Sequence, residues 1–158
     1  MEIRSAGPGN YNDYCRLIHA FDLHFSQKDP GYFRVPGNPV RTPEFYLSLF
    51  GPDRGVLMAF EGGQVVGLVN YSAEGPQDYP SLVPRRILFV TILAVAQGHT
   101  RRGIGRALMA EAHRKAVELN CVAVELCVQD YNQEALAFYE AVGYRSRERI
   151  LALPVGGE

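Results

Sequence analysis

Residues 93–108 read LAVAQGHTRRGIGRAL, an apolar run that leads through closely spaced glycines into a helix-forming tail. The run from Ile87 to Ala96 is apolar at nearly every position, which predicts a central strand covered on both faces. Farther on, from about Arg102 to Asn120, the apolar residues recur at the spacing of one helical face. The segment is therefore predicted to pass from a buried strand through a glycine turn into a helix.

The start of this helix has the features of an anion site. The first four N–H groups of a helix lack internal partners, and the peptide dipoles add partial positive charge there, so phosphate binds well. Gly103 and Gly105 leave those amides accessible, while Arg101, Arg102 and Arg106 add full positive charges. The pattern favours a polyanion such as a pyrophosphate. The alternative is that the glycines only permit tight packing of the helix against the strand, and that the arginines form a solvent-exposed face.

Two common nucleotide-binding motifs fit this segment poorly. A dinucleotide fingerprint requires a third glycine or an alanine where this chain has Leu108. A phosphate-binding loop of the Walker type requires Gly-Lys-Ser or Gly-Lys-Thr, and the segment contains neither. A P-loop or Rossmann nucleotide-binding domain is therefore disfavoured.

The remaining chain predicts alternating helices and strands of a single mixed domain, residues 1–158. Two β-rich runs are joined by Glu61-Gly62-Gly63, whose glycines suit a tight hairpin. The predicted elements are a strand at Glu2–Arg4, a helix from about Asn12 to Asp29, a short helix after Thr42-Pro43, strands at 56–60, 64–72, 87–96 and 122–128, helices at 102–120 and 132–143, and one or two final strands between Tyr144 and Val155. Their order, β-α-α-β-β-β-α-β-α-β, predicts an α/β (α+β) fold.

Composition excludes several classes of function. The 158 residues are 47% hydrophobic and carry 17 acidic against 16 basic side chains, for a net charge of -1. Near-zero charge argues against nucleic acid or an anionic membrane as the main partner. No apolar run reaches the roughly 18 residues that span a bilayer, and the N-terminus lacks the layout of a signal peptide, so a cytoplasmic protein is expected.

The cysteines agree with that compartment. Cys15, Cys121 and Cys127 are odd in number and form no Cys-x-x-Cys pair. This pattern argues against a disulfide framework or a cysteine zinc site, and all three are predicted to be small buried apolar residues. No metal is expected.

A second group of chemistry-bearing residues lies downstream, at Asn132 and Tyr139. Seven residues are nearly two helical turns, so the two side chains are expected to project from similar faces of one helix. Asn132 either caps the helix or donates to a ligand. Tyr139 supplies a phenol with an ordinary pKa of about 10, and the alternative is a core or boundary tyrosine.

With both motifs in order, the chain resembles the GNAT superfamily of acyl-CoA-dependent N-acyltransferases. The resemblance is strongest in RGIGRAL at 102–108, ELCV at 125–128 and NQEALAFYEAVGY at 132–144, and it extends over nearly the whole chain. It implies a single mixed, mostly antiparallel twisted sheet flanked by about four helices. It also implies acetyl-CoA as co-substrate.

The resemblance assigns residues to the cofactor and to catalysis. Backbone groups of Leu93, Ala94 and Val95 are implied to pair with the pantetheine arm, and Tyr139 to stand beside the sulfur as the catalytic proton donor. The remaining cofactor-binding residues that it implies are Arg101, Arg102, Gly103, Ile104, Gly105, Arg106, Asn132 and Phe138. The family usually has Gln or Arg three residues before the first glycine of the motif, and this chain has Thr100 at that position. This departure places the affinity for the cofactor in doubt.

The expected chemistry is direct transfer in a ternary complex. An acceptor amine must lose a proton before it attacks a thioester, so a base or a water chain is needed. Attack produces an oxyanion, for which a backbone N–H near Val95 is the expected donor. No cysteine or serine sits in a recognisable nucleophile motif.

The general base is left open. Many relatives carry a carboxylate about where this chain has Thr91, and Glu125 lies on the next predicted strand. Asp22, His24 and Asp78 are other candidates. A water relay is a further alternative.

Acceptor recognition is expected around the end of the first helix. Asp22 and Asp29 lie among aromatic residues there, which suits a cationic amine with an apolar body. Phe21 and Phe25 are better explained as core residues. The candidates for a pocket are therefore the loop residues Tyr32, Phe33 and Tyr79.

The resemblance therefore implies an N-acetyltransferase that acts on a primary amine of a small molecule or a protein, and it also implies a homodimer. The alternative is a non-catalytic acyl-CoA sensor or interaction module with the same fold. Tyr139 favours the enzyme, while the missing carboxylate at Thr91 supports the sensor.

Overall fold

The computed structural model describes residues 1–156, which form five strands and four α-helices in chain order. The strands are β1 (Glu2–Ser5), β2 (Arg54–Glu61), β3 (Gln64–Glu74), β4 (Ile87–Val95) and β5 (Ala123–Leu126). The helices are α1 (Tyr11–Lys28), α2 (Pro43–Ser48), α3 (Ile104–Glu118) and α4 (Gln133–Ala141), with a 3-10 turn at Pro8–Asn10. The elements divide into two compact units, Met1–Cys127 and Val128–Glu158.

The first unit contains the whole five-stranded sheet, in the order β1-β2-β3-β4-β5. The first three pairings are antiparallel, and β4 pairs with β5 in parallel. The β2–β3 hairpin turns at Gly62 and Gly63, whose φ values are 55° and 81°, as the glycines predict. The expected mixed, mostly antiparallel sheet with four helices is confirmed.

Strand β4 continues beyond its parallel partner. Its pairing with β5 runs from Ile87 to Val90 and ends there, whereas β4 itself reaches Val95. A register shift in the β3–β4 pairing also sets Asn70 opposite Ile92 and Tyr71 opposite Val90, which leaves Thr91 as an extra residue. The last five residues of β4 therefore have a strand partner on one edge alone.

Helices α1 and α2 pack on one face of the sheet. Tyr14 and Ile18 of α1 and Tyr46 of α2 are almost completely buried, in one cluster with side chains from β2 and β3. The Tyr14 and Tyr46 rings lie 5.1 Å apart. Thr42 caps α2 by accepting a hydrogen bond from the Phe45 N–H at 3.1 Å, as the Thr-Pro pair predicts.

Helix α3 packs tightly against the sheet because β3 carries Gly67. A Cβ at this position would lie 2.9 Å from Cγ2 of Ile104 and 3.0 Å from Cδ1 of Leu108, both buried on α3. Any larger residue would push the helix outward. Gly67 thus holds the start of α3 close to the sheet.

The second unit, described through residue 156, consists of α4 and an extended tail. Asn132 caps α4 by accepting a hydrogen bond from the Ala135 N–H at 3.2 Å, and Gly143 follows the helix with φ of 105°. Both helix ends agree with the sequence prediction.

The final strands predicted between Tyr144 and Val155 are wrong, since no strand forms in residues 145–156. The apolar side chains there are 87% to 99% exposed: Ile150, Leu151, Leu153 and Val155. An apolar run indicates which side chains favour burial. A strand also needs a neighbouring strand to pair with its N–H and C=O groups, and the run does not identify one. Strand β5 is also shorter than predicted, and Val122 before it is 69% exposed.

None of the helices in residues 1–156 has the length and apolar character to cross a bilayer. The cysteines are less buried than predicted. Cys15 and Cys121 are half-buried, and Cys127 is exposed because β5 ends at Leu126, just before it.

Candidate functional site

Three residues of the turn between β4 and α3 have a left-handed backbone conformation. Gly98, Arg101 and Gly103 have φ values of 82°, 61° and 82°, and Gly103 is the N-cap of α3. Alternation of left-handed and ordinary conformations makes successive N–H groups converge on one concavity, the geometry of many phosphate sites. A Cβ at Gly103 would meet no atom within 4 Å, so the space above this helix start is open.

The three arginines of the turn differ in their surroundings. Arg102 is held by Glu61 of β2, with 3.0 Å between Nη2 and Oε2. Within residues 1–156, no ion pair is present at Arg101 or Arg106. These two guanidinium groups therefore remain available to an anion, while Arg102 is shared with a carboxylate.

The open edge of β4 offers polar backbone groups to an extended ligand. The Ala96 N–H donates to the Val66 carbonyl of β3 at 2.8 Å. Because backbone groups alternate between the two edges of a strand, those of Ala94 also face β3, and those of Leu93 and Val95 face the opposite edge. The pairing with β5 has already ended at Val90. Of the three predicted pantetheine residues, Leu93 and Val95 thus have the required backbone direction.

In the second unit, Tyr139 lies on α4 between two other rings. Its ring centroid is 5.0 Å from that of Phe138 and 5.5 Å from that of Tyr144. Burial, and to a lesser extent the neighbouring Tyr144, raises the pKa of Tyr139 to about 12. The phenol therefore stays protonated at neutral pH and is able to donate a hydrogen bond. Asn132 uses Oδ1 for the helix cap, which leaves its NH2 group for other contacts.

Two of the carboxylates considered as general bases, Asp22 and Glu125, are engaged by arginines. Asp22 is buried on α1, and its two oxygens accept from Arg41 at 2.8 and 3.3 Å. Glu125 on β5 is paired with Arg85. Asp22 thus has a structural partner and is not an open carboxylate for a cationic acceptor. Thr91 is exposed at the β4 irregularity, and His24 and Asp78 are exposed side chains.

The predicted aromatic lining is brought together in part. Phe25 lies 4.7 Å from Phe21 and 5.2 Å from Phe33, and Tyr32 makes an edge contact with Phe33 at 4.9 Å, all between ring centroids. Tyr32 is 74% exposed on the outside of this cluster. Tyr79, 61% exposed, has no ring contact within residues 1–156.

Sequence reasoning missed a small open pocket of mixed polar and apolar lining on the α1–α2 side of the sheet. The pocket has a volume of about 160 Å³, and its lining includes Ser48, Leu49, Arg54, Asn70, Ser72 and Thr91. Asn70 is 4% exposed, and its Nδ2 donates to the Tyr14 hydroxyl at 2.9 Å. Its Oδ1 is buried without a partner in the described part of the chain. The available signal was one amide in the otherwise apolar run of β3.

No group of three His, Cys, Asp or Glu side chains within the described residues could hold a metal ion.

Solved structures with this architecture include acetyltransferases. A mutant of the BH1408 protein from Bacillus halodurans superposes with a TM-score of 0.91 at 23% identity, covering 98% of this chain and 99% of that one. The aminoglycoside N-acetyltransferase AAC(6')-Iy in complex with CoA superposes with a TM-score of 0.70 at 15% identity, covering 97% and 98% of the two chains. At these identities the similarity establishes the fold alone.

The sequence establishes the family. Residues 21–144 match the model of the acetyltransferase (GNAT) family, and the chain belongs to this family of acyltransferases. A Bacillus subtilis protein, YdhI, is 27% identical over 108 residues, which are 66% of this chain and 60% of YdhI. The L-ornithine N5-acetyltransferase NATA1 of Arabidopsis thaliana is 30% identical over 66 residues, 42% of this chain and 29% of NATA1. The chain thus spans less than two thirds of either relative.

Proposed function

We propose that the chain, acting as one cytoplasmic domain, transfers an acetyl group from acetyl-CoA to a primary amine of a small molecule or a protein. The observation that carries this proposal is the open edge of β4, which leads directly into the turn at 98–104 with its three left-handed residues. An extended ligand with a pyrophosphate at one end would pair with the β4 edge along its length and place the pyrophosphate at the turn.

The residues present fit coenzyme A. The pyrophosphate would be held by the N–H groups of residues 101–106, with Arg101 and Arg106 supplying charge. The pantetheine amides would pair with Leu93 and Val95 along the β4 edge. Asn132 and Phe138, implied by the family motif, are proposed as further contacts. The thioester supplies an activated acetyl group and a thiolate leaving group.

In the proposed reaction, the amine nitrogen forms a bond to the acyl carbon, and the carbon–sulfur bond breaks with its electron pair on sulfur. The N–H of Val95 donates to the acyl oxygen as negative charge develops there. The nitrogen releases a proton and the sulfur gains one, so protons balance. Because Thr91 carries no carboxylate and Glu125 is engaged by Arg85, a water relay is proposed to accept the amine proton.

The raised pKa of Tyr139 determines whether this phenol would transfer a proton to the leaving sulfur or only donate a hydrogen bond to it. A thiol with an ordinary pKa of about 8.5 is a stronger acid than a phenol at about 12, so full proton transfer from Tyr139 to the thiolate is uphill by about 5 kcal/mol. A neutral phenol still donates a hydrogen bond to the departing sulfur. We therefore assign Tyr139 this hydrogen bond, with the net proton supplied by the attacking nitrogen.

Relatives with named substrates support an amine acceptor. NATA1 is an L-ornithine N5-acetyltransferase, and AAC(6')-Iy is an aminoglycoside N-acetyltransferase. Both act on amino groups of small molecules, which favours the same acceptor class here.

The proposal predicts thiol release in the presence of both substrates. Purified chain with acetyl-CoA and a panel of amines should release free CoA thiol with at least one amine, and mass spectrometry should show the acetylated amine. Acetylation of the enzyme by acetyl-CoA alone would contradict direct transfer. Acetyl-CoA binding without turnover on any amine would favour an acyl-CoA sensor, for which the engaged carboxylate of Glu125 and the missing one at Thr91 are the structural support.

The expected homodimer is proposed on the basis of the apolar tail. Ile150, Leu151, Leu153 and Val155 each leave roughly 100 Å² of apolar surface in water. Two symmetric contacts, each covering one tail with an equal area of the partner copy, would bury roughly 1,600 Å², the size of a standard stable interface. A second copy supplies both contacts at once.

Light scattering should therefore give twice the chain mass of 17.6 kDa. The double variant Leu151→Asp with Leu153→Asp should give the mass of one chain, because charged side chains resist burial. As a control, Leu82→Asp with Val83→Asp adds the same charge at the exposed loop before β4 and should remain a dimer. If the variant with Leu151→Asp and Leu153→Asp still has the mass of a dimer, the apolar tail is not the dimer interface.

A further inference from the structure

The pocket at Asn70 provides information about the acceptor, provided that the proposed acetyl transfer is correct. The pocket reaches β4 at Thr91, two residues before Leu93 on the open edge. At about 3.3 Å per residue along a strand, this is roughly 7 Å from the backbone proposed to hold the acyl arm. A small amine bound in the pocket would therefore lie within reach of that arm.

The polar groups of the pocket match a hydrogen-bond donor. The Asn70 Oδ1 is an acceptor buried without a partner in the described residues, and burying such a group is costly unless a ligand or a water satisfies it. Its position is fixed, because Nδ2 of the same amide is held by the Tyr14 hydroxyl at 2.9 Å. An amine N–H supplies the missing partner, and because the oxygen is almost completely buried, a neighbouring side chain shifts when the amine binds.

The charge of the pocket selects for a second group on the same molecule. Arg54 lines this pocket and an adjoining hollow of about 170 Å³, and it has no ion pair within residues 1–156. Neither cavity is lined by an Asp or Glu. A purely cationic polyamine would face an uncompensated guanidinium here, whereas a carboxylate would pair with it.

We propose that this pocket binds the acceptor, and that the acceptor is a small amino compound that also carries a carboxylate. Asn70 Oδ1 accepts from the reacting amine, and Arg54 pairs with the carboxylate. Both residues act in positioning and specificity. Of the two aspartates predicted to recognise the acceptor, Asp22 is already paired with Arg41, and the role of Asp29 stays a prediction.

The test compares acceptors that differ in the carboxylate alone. Lysine and cadaverine share the same amine and carbon chain, and thiol release should give lysine the higher kcat/KM by roughly tenfold or more. Arg54→Gln should raise the KM for lysine by about the same factor and lower the KM for cadaverine, because the uncompensated positive charge is removed. Because Arg54 is exposed, this variant keeps the core intact. Arg149→Gln, at another exposed arginine without an ion pair within residues 1–156, should retain the preference.

Asn70 is tested with a variant that separates binding from packing. Asn70→Leu should raise the KM for both amines about tenfold and leave the KM for acetyl-CoA unchanged. Tyr14→Phe removes the hydrogen bond that positions the amide but keeps the proposed acceptor oxygen, so both amine KM values should rise by less than with Asn70→Leu. Equal efficiency with lysine and cadaverine, or a preference that survives Arg54→Gln, would overturn the pocket assignment alone. Absence of thiol release with every amine would instead contradict the proposed function.

Discussion

Gly103→Glu should raise the Kd for acetyl-CoA by about a hundredfold or more. The substitution places a carboxylate at the N-cap of α3, where the space is open and the first N–H groups of the helix lack internal partners. A negative charge about 5 Å from a phosphate costs about 3 kcal/mol at an effective dielectric of about 20, and the loss of helix-end attraction adds to it. Calorimetric titration with acetyl-CoA measures the effect.

The matched control for this variant is Gly103→Gln, since Gly103 has φ of 82° and any side chain there is strained. Gln and Glu share size and strain and differ in charge, so their ratio of Kd values isolates electrostatics. The Gln variant should bind at least tenfold more tightly than the Glu variant at low salt, and the gap should narrow at high salt. Equal affinity of the two variants would show that the pyrophosphate does not bind at this helix start.

Tyr139→Phe should lower kcat roughly a hundredfold while the KM for acetyl-CoA stays within about twofold, as expected when one donor to a developing charge is removed. Because the pKa of Tyr139 is raised to about 12, the wild-type phenol remains protonated up to about pH 11. Activity should therefore rise with pH as the acceptor amine deprotonates, with no descending limb from Tyr139 below about pH 10. Steady-state kinetics from pH 6 to about pH 10 test both statements.

Tyr144→Phe is the corresponding control in the same unit. Its ring lies 5.5 Å from that of Tyr139, and it loses the same atom without a proposed contact to sulfur. Its kcat should stay close to wild type. If the two variants lose activity equally, the loss reflects packing around α4, and the hydrogen bond assigned to Tyr139 is refuted.

The sequence predicted the parts of the fold that depend on local chemistry. Thr42 and Asn132 were recognised because a cap needs one side chain and a nearby N–H, and the Gly62-Gly63 hairpin because positive φ values favour glycine. The predicted strands after Tyr144 were wrong because strand pairing depends on a distant neighbour that periodicity does not identify.

The candidate site also contains features that the local sequence predicted and features that depend on the folded structure. The turn at Gly103 was visible in the sequence, since glycine and arginine near a helix start have a direct physical meaning. The partners of Asp22, Glu125 and Arg102 were not, because each ion pair joins residues 19 to 41 positions apart. Asn70 was missed for a related reason, as its unpartnered oxygen is a property of the folded pocket.

The strand order β1-β2-β3-β4-β5 has a consequence for how the chain folds during synthesis. Each strand pairs with the one made immediately before it, so no pairing has to wait for a later segment of the chain. The β2–β3–β4 meander, and with it the open edge of β4, can form as soon as residue 95 has left the ribosome. The parallel β4–β5 pairing closes afterwards over the α3 crossover and reaches only as far as Val90, so the open edge exists before the sheet is complete.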